Sequence, residues 1–148
     1  MYRIYYLLKT ALLSVLAKRT VGVRALLIRE NETLLVKHTY QAGWYTIGGG
    51  VEPGETAHQA LLREIKEEVG ATLTTPPQLF AVYYSRNERR DDYIIFYICH
   101  VYQQERVHSP EIAEQQWFNL NQLPTDISPA TKKRIEEYLG RAEISEYW

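Results

Sequence analysis

Residues 48–71 constrain this chain more than any other stretch. Three glycines, Gly48-Gly49-Gly50, precede Glu52, Pro53, Gly54 and Glu55, and a helical pattern follows with acids at Glu64, Glu67 and Glu68. A helix turns about 100° per residue, so positions i, i+3 and i+4 share one face. Thr56 with Gln59 predicts a capping box at its start, and Gly70 a left-handed stop at its end. Leu61, Leu62, Ile65 and Val69 form an aliphatic stripe for a core. The acids lie about 120° round from it, together with the small Ala57 and Ala60. Arg63 and Lys66 fall outside the acid stripe, so no lysine is interspersed to offset it, as on an ordinary solvated face. Three crowded like charges call for a cation. A hard divalent ion with oxygen ligands answers that need, Mg²⁺ first, with Mn²⁺ as substitute.

The spacing has a family counterpart. Gly49, five residues, Glu55, seven residues, then Arg63-Glu64-Ile65-x-Glu67-Glu68-x-Gly70 resembles the Nudix box. Two positions depart from that pattern: Ile47 stands where the family usually has proline, and Ala71 where it has a larger aliphatic residue. Neither departure removes a carboxylate. The resemblance implies an α+β domain, an α/β/α sandwich with a mixed β-sheet. It implies Mg²⁺-dependent cleavage of the diphosphate bond in a nucleoside diphosphate linked to another group. Glu64, Glu67 and Glu68 are the expected ligands, with the Gly49 carbonyl of the loop beside them. Gly48 and Gly50 let backbone approach metal or phosphate, having no side chain. Glu55 and Arg63 are expected to pair and orient the loop, and Glu52 is a candidate for a second metal. Glu64 and Glu67 are the first candidates for the general base, and Glu111 and Glu114, before Trp117, are candidates outside the box. A catalytically silent Nudix-like module that binds a nucleotide and regulates a partner is the alternative. The presence of all three acids favours the enzyme.

The substrate's other half has weaker signals. Trp44, Tyr45, Tyr83 and Tyr84 are candidates for stacking on a base, and Arg86, Arg89 and Arg90 for holding phosphate. Core aromatics and a wet hairpin loop are the competing readings.

The rest of the chain bounds the class. Its 148 residues suit one domain with one core, and 45% hydrophobic content is ordinary for a globular protein. A net charge of -1 gives no overall pull toward nucleic acid or an anionic membrane. Cys99 is the only cysteine, which excludes an internal disulfide and a thiolate zinc site; it sits in an apolar run and fits a core, and a reducing cytoplasm suits it.

Residues 1–19 stand apart from a domain spanning 20–148. Residues 1–20 contain Arg3, Lys9, Lys18 and Arg19 and no acid, while Leu7, Leu8, Ala11, Leu12, Val15 and Leu16 recur at helical spacing. The run is too short and basic for a transmembrane span. An amphipathic helix packed on the domain, or on a second subunit in a homodimer, is the favoured expectation; a helix lying on a membrane surface is the alternative. Strands are expected at 21–28, 32–38, 79–85, 93–102 and 116–119, with a charged loop at 86–92. Ser128-Pro129 predicts the start of a last helix over 131–139, ended by Gly140.

Overall fold

The computed structural model describes residues 2–16, 19–87 and 90–148. Helix α1 (Tyr2–Leu16) is followed by strands β1 (Arg19–Arg29), β2 (Glu32–His38) and β3 (Ile47–Gly50). Helix α2 (Ala57–Val69) comes next, then β4 (Ala71–Leu73), β5 (Gln78–Asn87), β6 (Arg90–Gln104), β7 (Ile112–Asn119) and α3 (Pro129–Tyr138). The sheet runs β4-β6-β1-β2-β7, with β3 beside β1 and β5 beside β6. Only the β1–β6 pairing is parallel, so the sheet is mixed.

Alternation along the central strands builds a core on each side. Val23, Ala25 and Leu27 of β1 pack with Tyr97 and Cys99 of β6 beneath Ala60, Leu61, Ile65 and Val69 of α2. Leu26 and Ile28 pack with Ile94, Phe96 and Ile98 and with Ile135 of α3 on the opposite face. Strands covered on both faces need apolar residues at successive positions, and β1 over 25–28 and β6 over 94–99 supply them. The result is the expected α/β/α sandwich.

Local signals set the element ends. Thr56 and Gln59 make the reciprocal capping box at α2, and Gly70 closes it at φ 61°. Ser128 caps α3 with Pro129 in its first turn. Cys99 is fully buried, and burial pushes its thiol up to about 12, as suits an inert core residue.

Three features differ from the sequence expectations. The glycine run is a strand: Gly48, Gly49 and Gly50 pair with Arg24, Val23 and Gly22. A Cβ on Gly48 would sit 2.1 Å from the Val23 carbonyl oxygen, so only glycine permits that approach. The hairpin between β5 and β6 also extends to Asn87 and Arg90, replacing most of the expected loop, because Arg86 and Asn87 pair with Asp91 and Arg90. Arg89 lies outside the described residues. Finally, the described apolar side chains of α1 are not buried on the domain: Ile4, Tyr5, Leu7, Leu8 and Leu12 are each at least 60% exposed, while the side chains of Val15 and Leu16 lie outside the described ones.

Candidate active site

Two neighbouring strands and one helix bring the box together. β3 lies along β1, and α2 packs over them through Ile65 and Val69, so its inner acids meet the glycine backbone. Glu68 points inward and is only 4% exposed; it accepts a hydrogen bond from the Gly48 N–H at 3.4 Å. Glu64 lies against Gly49, where a Cβ would come within 2.4 Å of its Oε1. Glu67 stands on the rim, its side chain 60% exposed. Leu62, expected in the core stripe, is also exposed. The three acids therefore span a gradient from buried to open. Among the described residues no three acidic or imidazole groups already converge as a closed cation cage.

Arg63 corrects the sequence reading that set it apart from the acids. Its guanidinium forks onto Glu55, with Nε donating to Oε1 at 2.6 Å and Nη2 to Oε2 at 3.0 Å. Its Nη1 also donates to Glu64 at 2.8 Å and reaches Glu67 at 3.5 Å, and Nη2 donates to the Gly50 carbonyl at 3.2 Å. Glu55 Oε2 further accepts from the Glu52 N–H. One planar fork thus ties the loop, the glycine strand and the helix together. Arg63 holds the Glu55 carboxyl down at about 2. Glu52 lies 4.0 Å from Arg63 and is otherwise exposed. Lysine is a point charge and cannot reproduce the fork. Arg63→Lys is therefore expected to lower kcat/KM by about tenfold or more. Steady-state kinetics would show this, and an unchanged kcat/KM would mean the loop keeps its place without the fork.

The inner acids carry a charge problem. Burial pushes Glu68 up to about 8, and the negative Glu64 and Glu111 add to it against the Gly48 N–H and Arg24. Burial also raises Glu64, against the pull of Arg63, with Glu67 and Glu111 reinforcing it. Two raised carboxyls beside the glycine backbone form a hard oxygen donor set, and a divalent cation would relieve both. The residues present fit such an ion.

These groups line a groove of about 890 Å³ between α2 and the 105–111 loop. Glu52, Arg63, Glu64, Glu67 and Glu68 form one wall, and His108, Ser109 and Glu111 the other. The loop is tied to the end of α2, where the Glu105 N–H donates to the Gly70 carbonyl. Glu111 is thus brought to the box although 43 residues separate it from Glu68. Glu114 does not line this groove: it lies in β7, 61% exposed and 3.9 Å from Lys37, and borders a smaller cavity that Glu68 also lines. His108 was not singled out in the sequence, where nothing sets it apart from the other histidines.

A second cavity of about 560 Å³ lies on the other side of β3's entrance, lined by Arg24, Tyr45, Thr46, Ser128, Lys133 and Trp148 among others. Arg24 pairs with Gly48 in register and donates to the Thr46 carbonyl at 3.2 Å. No acidic residue lines this cavity. Of the four aromatic candidates, only Tyr45 borders it. Trp44 is buried, edge-on to Phe118 at 4.8 Å, and Tyr83 is fully buried with its hydroxyl on Glu137. Neither offers a face to a ligand. Tyr84 donates to Asp91, and it lines neither cavity, nor do Arg86 and Arg90. Arg24 and Trp148 were missed. An arginine inside the apolar run Val23-Arg24-Ala25 was the available signal for the first; Trp148 joins only through folding.

Carboxylates of graded burial facing an open groove beside a glycine backbone are the equipment of a phosphoanhydride hydrolase. The sequence profile of the NUDIX domain matches residues 18–138, and the chain belongs to this family of hydrolases, which act on nucleotide phosphoanhydrides. It is 29% identical over 125 residues to a putative 8-oxo-dGTP diphosphatase of Bacillus subtilis (strain 168), covering 84% of this chain and 83% of that one. It is 32% identical over 124 residues to an ADP-ribose pyrophosphatase of Methanocaldococcus jannaschii, covering 80% and 72%. The crystal structure of a MutT NUDIX hydrolase from Burkholderia pseudomallei superposes with a TM-score of 0.69 at 27% identity, covering 80% of this chain and 96% of that one.

Proposed function

We propose that this enzyme is a Mg²⁺-dependent diphosphatase that hydrolyses the diphosphate bond of a nucleoside diphosphate derivative. The observation that carries the reading is the pair of inner carboxyls, Glu64 and Glu68, buried against the glycine strand and raised by that burial. Glu64 and Glu68 would hold the cation, with Glu67 reaching from the rim and the Gly49 carbonyl completing the oxygen set. A bound Mg²⁺ would neutralise phosphate charge and acidify water. The chain's own groups do the rest. The Gly48–Gly50 backbone admits the phosphates closely, and the Arg63 fork keeps Glu64 in place. Glu111, facing the box from the opposite wall, is the acceptor we assign for the proton of the attacking water, ahead of Glu64, which Arg63 already engages.

The nucleoside half is assigned to the second cavity. Tyr45 and Trp148 offer apolar surface there, and Arg24 and Lys133 offer positive charge toward phosphate. A panel of 8-oxo-dGTP, dGTP, ADP-ribose and a nucleotide sugar, assayed with Mg²⁺ and with chelator, tests the proposal. At least one member should be cleaved only with the metal. Cleavage of none, or cleavage untouched by chelator, would overturn it.

A further inference from the structure

We propose that α1 is an interfacial helix that seats this enzyme on anionic lipid bilayers. The proposal is independent of which nucleotide the active site takes.

The helix presents apolar side chains to solvent. At 100° per residue, Leu7, Ile4, Leu8, Leu12 and Tyr5 fall within an arc of about 160°, and each is at least 60% exposed. Monomeric proteins rarely leave so broad an apolar face uncovered without a partner. Lys9, also exposed, lies at the edge of that arc beside Tyr5. An apolar face edged by an aromatic ring and a cation matches the layered polarity of a bilayer surface.

Charge selects the occupant. Residues 1–20 contain four basic residues and no acid, whereas all 18 acids lie in the remaining 128 residues. A second copy would bring the same positive charge against this face, with no acid on the segment to cross-pair as helix seams require. A membrane rich in anionic headgroups supplies the missing counter-charge. Width argues the same way, since the arc exceeds the narrow stripe that a two-helix seam buries. The helix has 15 residues, and no helix among the described residues is long and apolar enough to cross a membrane. A helix of that length spans about 22 Å, short of the hydrocarbon thickness of about 30 Å. It would lie in the interface with its axis along the surface.

Vesicle sedimentation of the full chain tests this. The parent should pellet with vesicles containing about one quarter phosphatidylglycerol in phosphatidylcholine, and at least about tenfold more weakly with phosphatidylcholine alone or in about 0.5 M salt. Leu8→Glu/Leu12→Glu, placed on exposed positions, should lower binding to the anionic vesicles at least about tenfold. Its melting temperature and its hydrolysis of soluble nucleotide should match the parent, so lost binding would not reflect misfolding. Failure of the parent to pellet with anionic vesicles would overturn the proposal, as would equal pelleting of the variant. A concentration-dependent dimer in lipid-free ultracentrifugation that the same variant dissolves would reassign the face to a second copy.

Discussion

Glu68→Gln is expected to cut kcat by roughly a hundredfold or more and, in chelator at pH 8, to raise the melting temperature. Both effects come from one buried carboxyl. On the proposed reading, the variant would lose a cation ligand and with it charge stabilisation that the diphosphate needs as its bond breaks. The stability gain follows from linkage. The folded-state value for Glu68 is raised to about 8 from an ordinary value of 4.5. Between those limits the folded chain holds a proton that the unfolded chain has released. Stability of the metal-free parent is therefore greatest below the unfolded value and falls as pH rises through 8. Glutamine keeps the acceptor oxygen for the Gly48 N–H but never ionises. The gain in the variant should be on the order of a few kcal/mol at pH 8 to 9 and close to zero at pH 5. Thermal melts of both proteins across that range in chelator provide the check. A variant that melts below its parent at pH 8 would show that the charged carboxylate holds the fold together. The buried acid thus costs stability that cation binding would restore.

The second large effect lies behind the second cavity. Arg134 and Glu137 are fully buried on α3 and pair at 3.0 Å. Glu137 also accepts from the Tyr83 hydroxyl at 2.5 Å and from the Ser145 N–H at 3.1 Å. The Arg134 guanidinium lies 4.0 Å from the Tyr83 ring centre and 5.0 Å from that of Trp148, and donates to the Tyr147 carbonyl. This network fastens the last four residues to α3 and β5, and so sets a wall of the cavity. Glu137→Leu strips the buried guanidinium of its counter-charge and is expected to cost about 3–5 kcal/mol. Chemical denaturation would measure it. Adding Arg134→Met should recover most of the loss, because an apolar pair of similar volume replaces both ions. Failure of the double variant to recover would mean that the hydrogen bonds to Ser145 and Tyr147, not the unpaired charge, carry the cost.

The parts of the site that lie close together in the chain could be read directly. Glu55 and Arg63 are eight residues apart and pair as expected, and the acids of α2 follow from helical periodicity alone. The order of strands and the capped ends of α2 and α3 were also visible, since alternation, glycine stops and serine caps are short-range codes. Periodicity gave no depth, however. It placed Glu64, Glu67 and Glu68 on one edge without revealing that β3 buries one, braces another and leaves the third in water. It also set Arg63 apart from them, because an angle about the helix axis ignores the reach of a long side chain. Aromatic residues were least legible: Tyr83 and Tyr84 are adjacent, yet the sheet sends one into the core and the other to the surface.

By itself the sequence determined the chemistry available to this protein: oxygen donors at fixed helical spacing, a glycine run free of side chains and a basic, apolar leading segment. Only the tertiary structure decided which donors are dry, which arginine reaches them, and that Glu111 and Trp148 become walls of the two cavities. Burial and field strength depend on what packs against a residue from distant parts of the chain, and no local pattern encodes that.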